Sequence, residues 1–200
     1  MTVRYPAGVR PLVQGEGAAK KKKGSPKLKV AAGNRGMDFE AAINEANAYY
    51  LEKGLCLVTK RPTPIRVVKV DYEHGPKIVQ AFYETQSTTD YNGVYQGHYL
   101  DFEAKSTRSK TSFPFSNVPL QQIRHLQNVL QHGGWAFFLI HFALLGETYF
   151  VPASYLIERY LERKRASLTV EEIRKNGLIV PEGYRPRYDY LPVATGYFLK

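Results

Sequence analysis

The chain carries a single cysteine, Cys56, in 200 residues. That count excludes an internal disulfide and a multi-cysteine zinc site. Cys56 lies in Leu55-Cys56-Leu57-Val58 and reads as a small buried hydrophobe. Long apolar runs are also missing. None approaches the roughly 20 residues that cross a bilayer, and the start of the chain has no signal-peptide core. A cytoplasmic location without a membrane partner is therefore expected. The five histidines are scattered, with no HExxH and no paired Cys/His spacing. No GxxxxGK loop is present, which argues against ATP use. No local signature marks a serine or cysteine nucleophile. Acidic residues are scarce against basic ones, 18 to 28, for a net charge of +10. Such a balance favours a polyanionic partner, nucleic acid before membrane.

What is present suffices for one packed domain. Hydrophobic residues make up 44% of the chain, including fifteen tyrosines and ten phenylalanines. Residues 1–33 are rich in Gly, Ala, Pro and Lys, with Lys20-Lys21-Lys22-Lys23 at their centre. Lacking periodicity, they read as a flexible basic arm able to neutralise phosphates. Residues 34–200 read as one α/β domain with no internal repeat. Phe39, Ile43, Ala46 and Tyr50 recur at helical spacing, predicting a helix over Met37–Leu51 opened by Asn34 or Gly36. Glu40 would then lie in its first turn, where the helix dipole favours a carboxylate. Leu55–Lys60 reads as a strand. Ile65–Tyr72 and Lys77–Tyr83, split by Glu73-His74-Gly75-Pro76, read as a hairpin. Pro119–Gln131 reads as a helix with Gln121, Gln122 and His125 off its apolar stripe, stopped by Gly133-Gly134. Trp135–Phe142 reads as a strand buried on both faces, with His141 a core histidine. Thr169-Val170-Glu171-Glu172 matches a capping box.

The chemistry concentrates in Thr88–Lys105. Leu100, Phe102 and Ala104 alternate with Asp101, Glu103 and Lys105, the period of a strand with one apolar face. Asn92-Gly93 is a turn signal, so the chain folds back and brings Asp90 near Glu103. Carboxylates from adjacent strands, about 4.8 Å apart, can share one divalent cation. Lys105 would stand beside it on the same face. That set suits phosphodiester hydrolysis: a hard cation polarises a phosphoryl oxygen, and an ammonium orients water or offsets developing charge. Asp101 shares the face and would help a second ion or support Lys105. The competing reading is a salt-bridged strand face in a protein that only binds nucleic acid.

Asp90 followed across a strand by Glu103-x-Lys105 resembles the PD-(D/E)xK nuclease superfamily. Wider context narrows this: Asn34-Arg35-Gly36-Met37, Lys60-Arg61-Pro62-Thr63-Pro64, Thr88-Thr89-Asp90-Tyr91-Asn92-Gly93, Asp101-Phe102-Glu103-Ala104-Lys105 and Lys110-Thr111-Ser112-Phe113-Pro114. Together these resemble the RecU-type Holliday junction resolvases of Gram-positive bacteria. The resemblance implies a restriction-endonuclease-like core, a mixed central β-sheet flanked by helices, with a protruding β-hairpin stalk at about 62–85. It implies a structure-selective DNA endonuclease that uses Mg²⁺, or Mn²⁺, and makes paired symmetric cuts at four-way junctions as a homodimer. A recombinase and branch-migration proteins are the partners such a role brings. By the same resemblance Asp90, Glu103 and Lys105 are catalytic, with Asp90, Glu103, Thr89, Gln122 and the Ala104 carbonyl toward the metal and Glu40 as an accessory ligand. Arg35, Arg66, Lys69, Lys77, Arg108 and Lys110 are the candidate DNA contacts. Two alternatives stay open: a non-catalytic branched-DNA-binding accessory protein, and a sequence-specific duplex endonuclease on the same fold.

Overall fold

A computed structural model describes residues 32–84, 88–162 and 164–200; the side chains of residues 32–37 are outside the description. The arm expected over residues 1–33 thus lies outside the described residues, save for Ala32 and Gly33 at the start of a helix. The Arg35 side chain lies outside them as well.

Six strands form one sheet: β1 (Leu57–Lys60), β4 (Tyr91–Tyr95), β5 (His98–Thr107), β7 (Trp135–Phe142), β8 (Glu147–Pro152) and β10 (Leu178–Ile179), in the order β1-β4-β5-β7-β8-β10. Only the central β5–β7 pair is parallel; the others are antiparallel, so the sheet is mixed as expected. Helix α2 (Leu120–Gln131) makes the crossover between the parallel strands. Strands β2 (Ile65–Asp71) and β3 (Lys77–Tyr83) pair only with each other, as a separate two-stranded sheet. This is the expected hairpin, and most of its residues are exposed. Strands β6 (Ser112–Pro114) and β9 (Ser167–Thr169) form a second small pair.

Alternation along β5 and β7 divides the core in two. Leu100, Phe102, Ala104, Phe137 and Leu139 pack against helix α1 (Ala32–Glu52) and the C-terminal segment with helix α5 (Leu191–Phe198). Ala136, Phe138 and Ile140 face helices α2, α3 (Ala153–Glu162) and α4 (Val170–Asn176). Burying each such phenylalanine contributes about 1.5–3 kcal/mol, enough for both layers to hold the sheet rigidly. The C-terminal segment, whose partner the sequence left undecided, packs on the sheet: Tyr188, Tyr190 and Leu191 are buried. His141, expected as a core histidine, is half-buried at the edge of the core. Its ring stacks on Phe39 at 5.0 Å, and Nδ1 lies 2.9 Å from Thr148 Oγ1. The capping box at Thr169–Glu172 is complete.

Two local expectations are corrected. Helix α1 begins at Ala32, not near Met37, so Glu40 sits in the helix interior and has no first-turn dipole role. And Asn92-Gly93 is not the turn. Both residues lie inside β4, paired with Asp101 and Leu100. The turn is Gln96-Gly97, a two-residue loop with φ of 46° and 86°, the positive-φ pair that tight hairpins require. Gly93 is glycine for another reason. A Cβ there would lie 2.1 Å from the Leu57 carbonyl oxygen, so β1 can approach only a residue without a side chain.

Candidate active site

The β4–β5 register does what the sequence required of the misplaced turn. Tyr91 opposes Phe102 and Asn92 opposes Asp101, so Asp90, one step before Tyr91, falls opposite Glu103. Alternation puts Asp90, Asp101 and Glu103 on the face covered by α2. The backbone N–H of Asp90 donates to Glu103 Oε2 at 2.9 Å. Lys105 Nζ stands 2.6 Å from Glu103 Oε1.

Glu103 is fully buried. Burial pushes its carboxyl up to about 7; the Lys105 ammonium pulls it down, and Asp90 pushes it up by charge and by a shared hydrogen bond. Two carboxyl groups are therefore in contact in a low-dielectric site, with one ammonium paired to Glu103. Like charges so placed disfavour joint ionisation unless a cation joins them.

Helix α2 runs back along β5. His125 Nε2 meets Asp101 Oδ2 at 2.9 Å, while Val129 and His132 share a cavity with Tyr99 at the start of β5. Gln122, one turn earlier on the same helix face, accordingly falls on the Glu103 side. Gln122 is 4% exposed, and its Oε1 has no hydrogen-bond partner. Glu103 Oε1 likewise receives no hydrogen bond of regular geometry, only the Lys105 ion pair. Buried acceptors left open in this way carry a desolvation cost that a bound cation would offset. Among the described residues no cluster of three or more His, Cys, Asp or Glu can hold a metal. The oxygen-only set of two carboxylates and an amide nevertheless fits Mg²⁺, which takes one or two carboxylates and keeps several waters.

The remaining candidates have the following partners. Thr89 is buried, and its hydroxyl hydrogen-bonds Asp101 Oδ1 and accepts from Arg61 Nη1 at 2.6 Å. Asp101, 0% exposed, accepts as well from Arg61 Nη2 at 2.7 Å and the Tyr99 hydroxyl at 2.8 Å. Its oxygens thus serve a protein network. Burial alone would raise its carboxyl, but hydrogen bonds from His125, Arg61, Thr89 and Tyr99 hold it below the usual carboxylate range. Glu40 pairs with Lys60 at the end of β1, and the Tyr91 hydroxyl donates to the Glu40 carbonyl at 3.3 Å. Arg66, Lys69 and Lys77 are exposed on the β2–β3 hairpin, and Arg108 and Lys110 are exposed in the β5–β6 loop.

Arg61, Tyr99 and His125 are the polar partners that sequence reasoning missed. The available signal was His125, three residues after Gln122 and off the apolar stripe. Arg61 lies in one of the quoted motifs, but its partner could not be read there: its contacts with Asp101 span forty positions.

A family model described as RecU: Recombination protein U matches residues 34–195. The chain belongs to the RecU family. The Holliday junction resolvase RecU of Lactococcus lactis subsp. cremoris (strain MG1363) is 51% identical over 179 residues, 87% of this chain and 84% of that one. The protein of the same name from Streptococcus equi subsp. zooepidemicus (strain MGCS10565) is 51% identical over 169 residues, 83% and 84% of the two chains. Among solved structures, the Archaeoglobus fulgidus Holliday junction resolvase Hjc aligns with a TM-score of 0.43 at 14% identity, over 72% of this chain and 95% of its own. The RecU motifs quoted from the sequence all fall within the matched span.

Proposed function

We propose that this RecU-family protein is a Mg²⁺-dependent endonuclease that resolves four-way DNA junctions by paired symmetric phosphodiester cleavage. The observation that carries the reading is the contact of half-buried Asp90 with buried Glu103, with the Lys105 ammonium 2.6 Å from Glu103. The relatives named above as Holliday junction resolvases support the substrate.

Asp90, Glu103 and Gln122 Oε1 would hold the cation. When bound it supplies Lewis acidity to a phosphoryl oxygen. The protein's own groups do the rest. Lys105, 23% exposed at its side chain, is near enough to solvent to orient an attacking water and to offset charge on the phosphoryl oxygens. Burial around Glu103 excludes bulk water and strengthens both interactions. The Asp101 network ties β4, β5, α2 and the Arg61 segment together, fixing these groups before substrate arrives. Exposed Arg108 and Lys110 beside β5 serve as phosphate contacts, as do Arg66, Lys69 and Lys77 on the stalk. Two cuts on a two-fold-symmetric junction call for two sites, so the acting form is a homodimer. A recombinase and branch-migration proteins would hand on its substrate in the cytoplasm.

The test is cleavage mapping on a synthetic mobile junction and matched duplex, with and without Mg²⁺. The expected outcome is paired nicks across the junction only with Mg²⁺, and slow cutting of duplex. Equal cutting of both substrates, or junction binding with no cutting, would overturn it.

A further inference from the structure

A cavity of about 410 Å³ adjoins the catalytic strand, lined by Tyr99, His125, Asn128, Val129, His132 and Gly134. The carboxylate pair lies outside it. We propose that it receives an unstacked nucleobase close to the scissile bond and sets the sequence preference of cleavage. The inference rests on the nuclease reading above and deepens it.

The lining matches a base and not a phosphate. No Lys or Arg lines it, so nothing there would neutralise a backbone charge. Three rings, of Tyr99, His125 and His132, offer faces on which a base can stack. Asn128 is exposed on α2 and brings an amide donor and acceptor, the groups that read a base edge. Val129 is buried and supplies an apolar surface. Two of the ring walls are fixed in advance: the Tyr99 hydroxyl and His125 Nε2 are both anchored on Asp101, at 2.8 and 2.9 Å. Such fixed walls lower the ordering cost of binding.

Position supports the same occupant. Tyr99, Asp101 and Glu103 share one face of β5. Four residues of strand span about 14 Å, and stacked DNA rises about 3.4 Å per nucleotide. A strand crossing Glu103 therefore brings bases within about four nucleotides of the scissile bond to the cavity. A neighbouring protein's apolar side chain would also fit the space, but it would not use Asn128 and would be indifferent to DNA sequence.

The experiment uses the full-length protein and junctions carrying 2-aminopurine, one position at a time, across the four nucleotides on each side of the cut. Ca²⁺ replaces Mg²⁺ during the fluorescence readings. Wild type should brighten one position, reporting an unstacked base. Asn128→Trp, which fills the cavity from an exposed helix site, should remove that signal. With Mg²⁺, cleavage over a set of junction sequences should show Asn128→Ala narrowing the ratio of best to worst sequence by about tenfold. No brightening at any position overturns the proposal. So does an unchanged ratio, or a loss equal across all sequences, as for a phosphate contact. Should wild type cut nothing in Mg²⁺, the nuclease reading fails separately, and the fluorescence still decides the cavity.

Discussion

Two hairpins of the same kind make opposite use of their side chains. The β4–β5 hairpin buries polar groups: Thr89 just ahead of it, Asp101 and Glu103 are all 0% exposed. The β2–β3 hairpin exposes apolar ones: Ile65, Val67, Val68, Ile78, Val79 and Phe82 are each more than 40% exposed. In the first, sheet neighbours on both sides and α2 above impose a low dielectric on charges, which shifts their proton affinities. In the second, among the described residues no third strand pairs with the ribbon. It is decoupled from the core, and an isolated two-stranded ribbon contributes little stability of its own. The proposed chemistry therefore rests on the packed hairpin. The exposed hairpin carries Arg66, Lys69 and Lys77, and the proposal assigns it contacts with DNA.

The largest effect that would break this contrast is on catalysis. Asp90→Asn or Glu103→Gln should lower junction cleavage by at least about 10³-fold while junction affinity, read by gel shift, stays near wild type. Full activity in either variant would remove the metal site. Next comes stability. Asp101→Asn leaves the Arg61 guanidinium, 19% exposed, beside an amide. Breaking a buried pair of this kind costs about 3–5 kcal/mol, a melting-temperature drop on the order of 10 °C for a domain of this size. A melting temperature within error of wild type would show that the network is slack.

The third prediction sharpens the electrostatics. Glu103 has its carboxyl raised from 4.5 to about 7 in the folded chain. Its contribution to stability is therefore complete below about pH 4.5 and is lost as pH rises through 7. Asp101 has the opposite sign: its depressed carboxyl stabilises above the ordinary aspartate value, 3.8, and that contribution disappears only at more acid pH. Metal-free protein should thus melt ~5 °C lower at pH 8 than at pH 5.5, and saturating Mg²⁺ should flatten the profile. In Glu103→Gln the slope should shrink without metal. A slope of the same size in that variant would assign it elsewhere. The smallest effect on stability belongs to the stalk. Lys69→Ala with Lys77→Ala should leave the melting temperature unchanged to within about 1–2 °C. The same pair should weaken junction binding and reduce its salt slope by about 2.

The contrast also explains what a single sequence could disclose. Strict alternation in Leu100–Lys105 located strand β5 and the face that carries Asp101 and Glu103, because burying one face of a strand is a local rule. The stalk was legible for a similar reason, two β-rich runs around Glu73-His74-Gly75-Pro76. Asn92-Gly93 misled because a glycine demanded by the close approach of β1 looks the same in sequence as one demanded by a turn. The start of α1 was hidden by Gly33, Asn34 and Gly36, poor helix formers that nevertheless lie in the helix. The pairing of the Asp101 network was not legible: its partners Arg61 and His125 come from a loop and a helix distant in sequence, and only the fold brings them together.

The central claim is that Asp90 and Glu103 jointly hold one site for a divalent cation. Calorimetric titration of Mn²⁺ into wild type, Asp90→Asn and Glu103→Gln, without DNA, tests it directly. The account predicts saturable binding in wild type that falls at least about tenfold in affinity in each variant. Binding unchanged in both variants would contradict it.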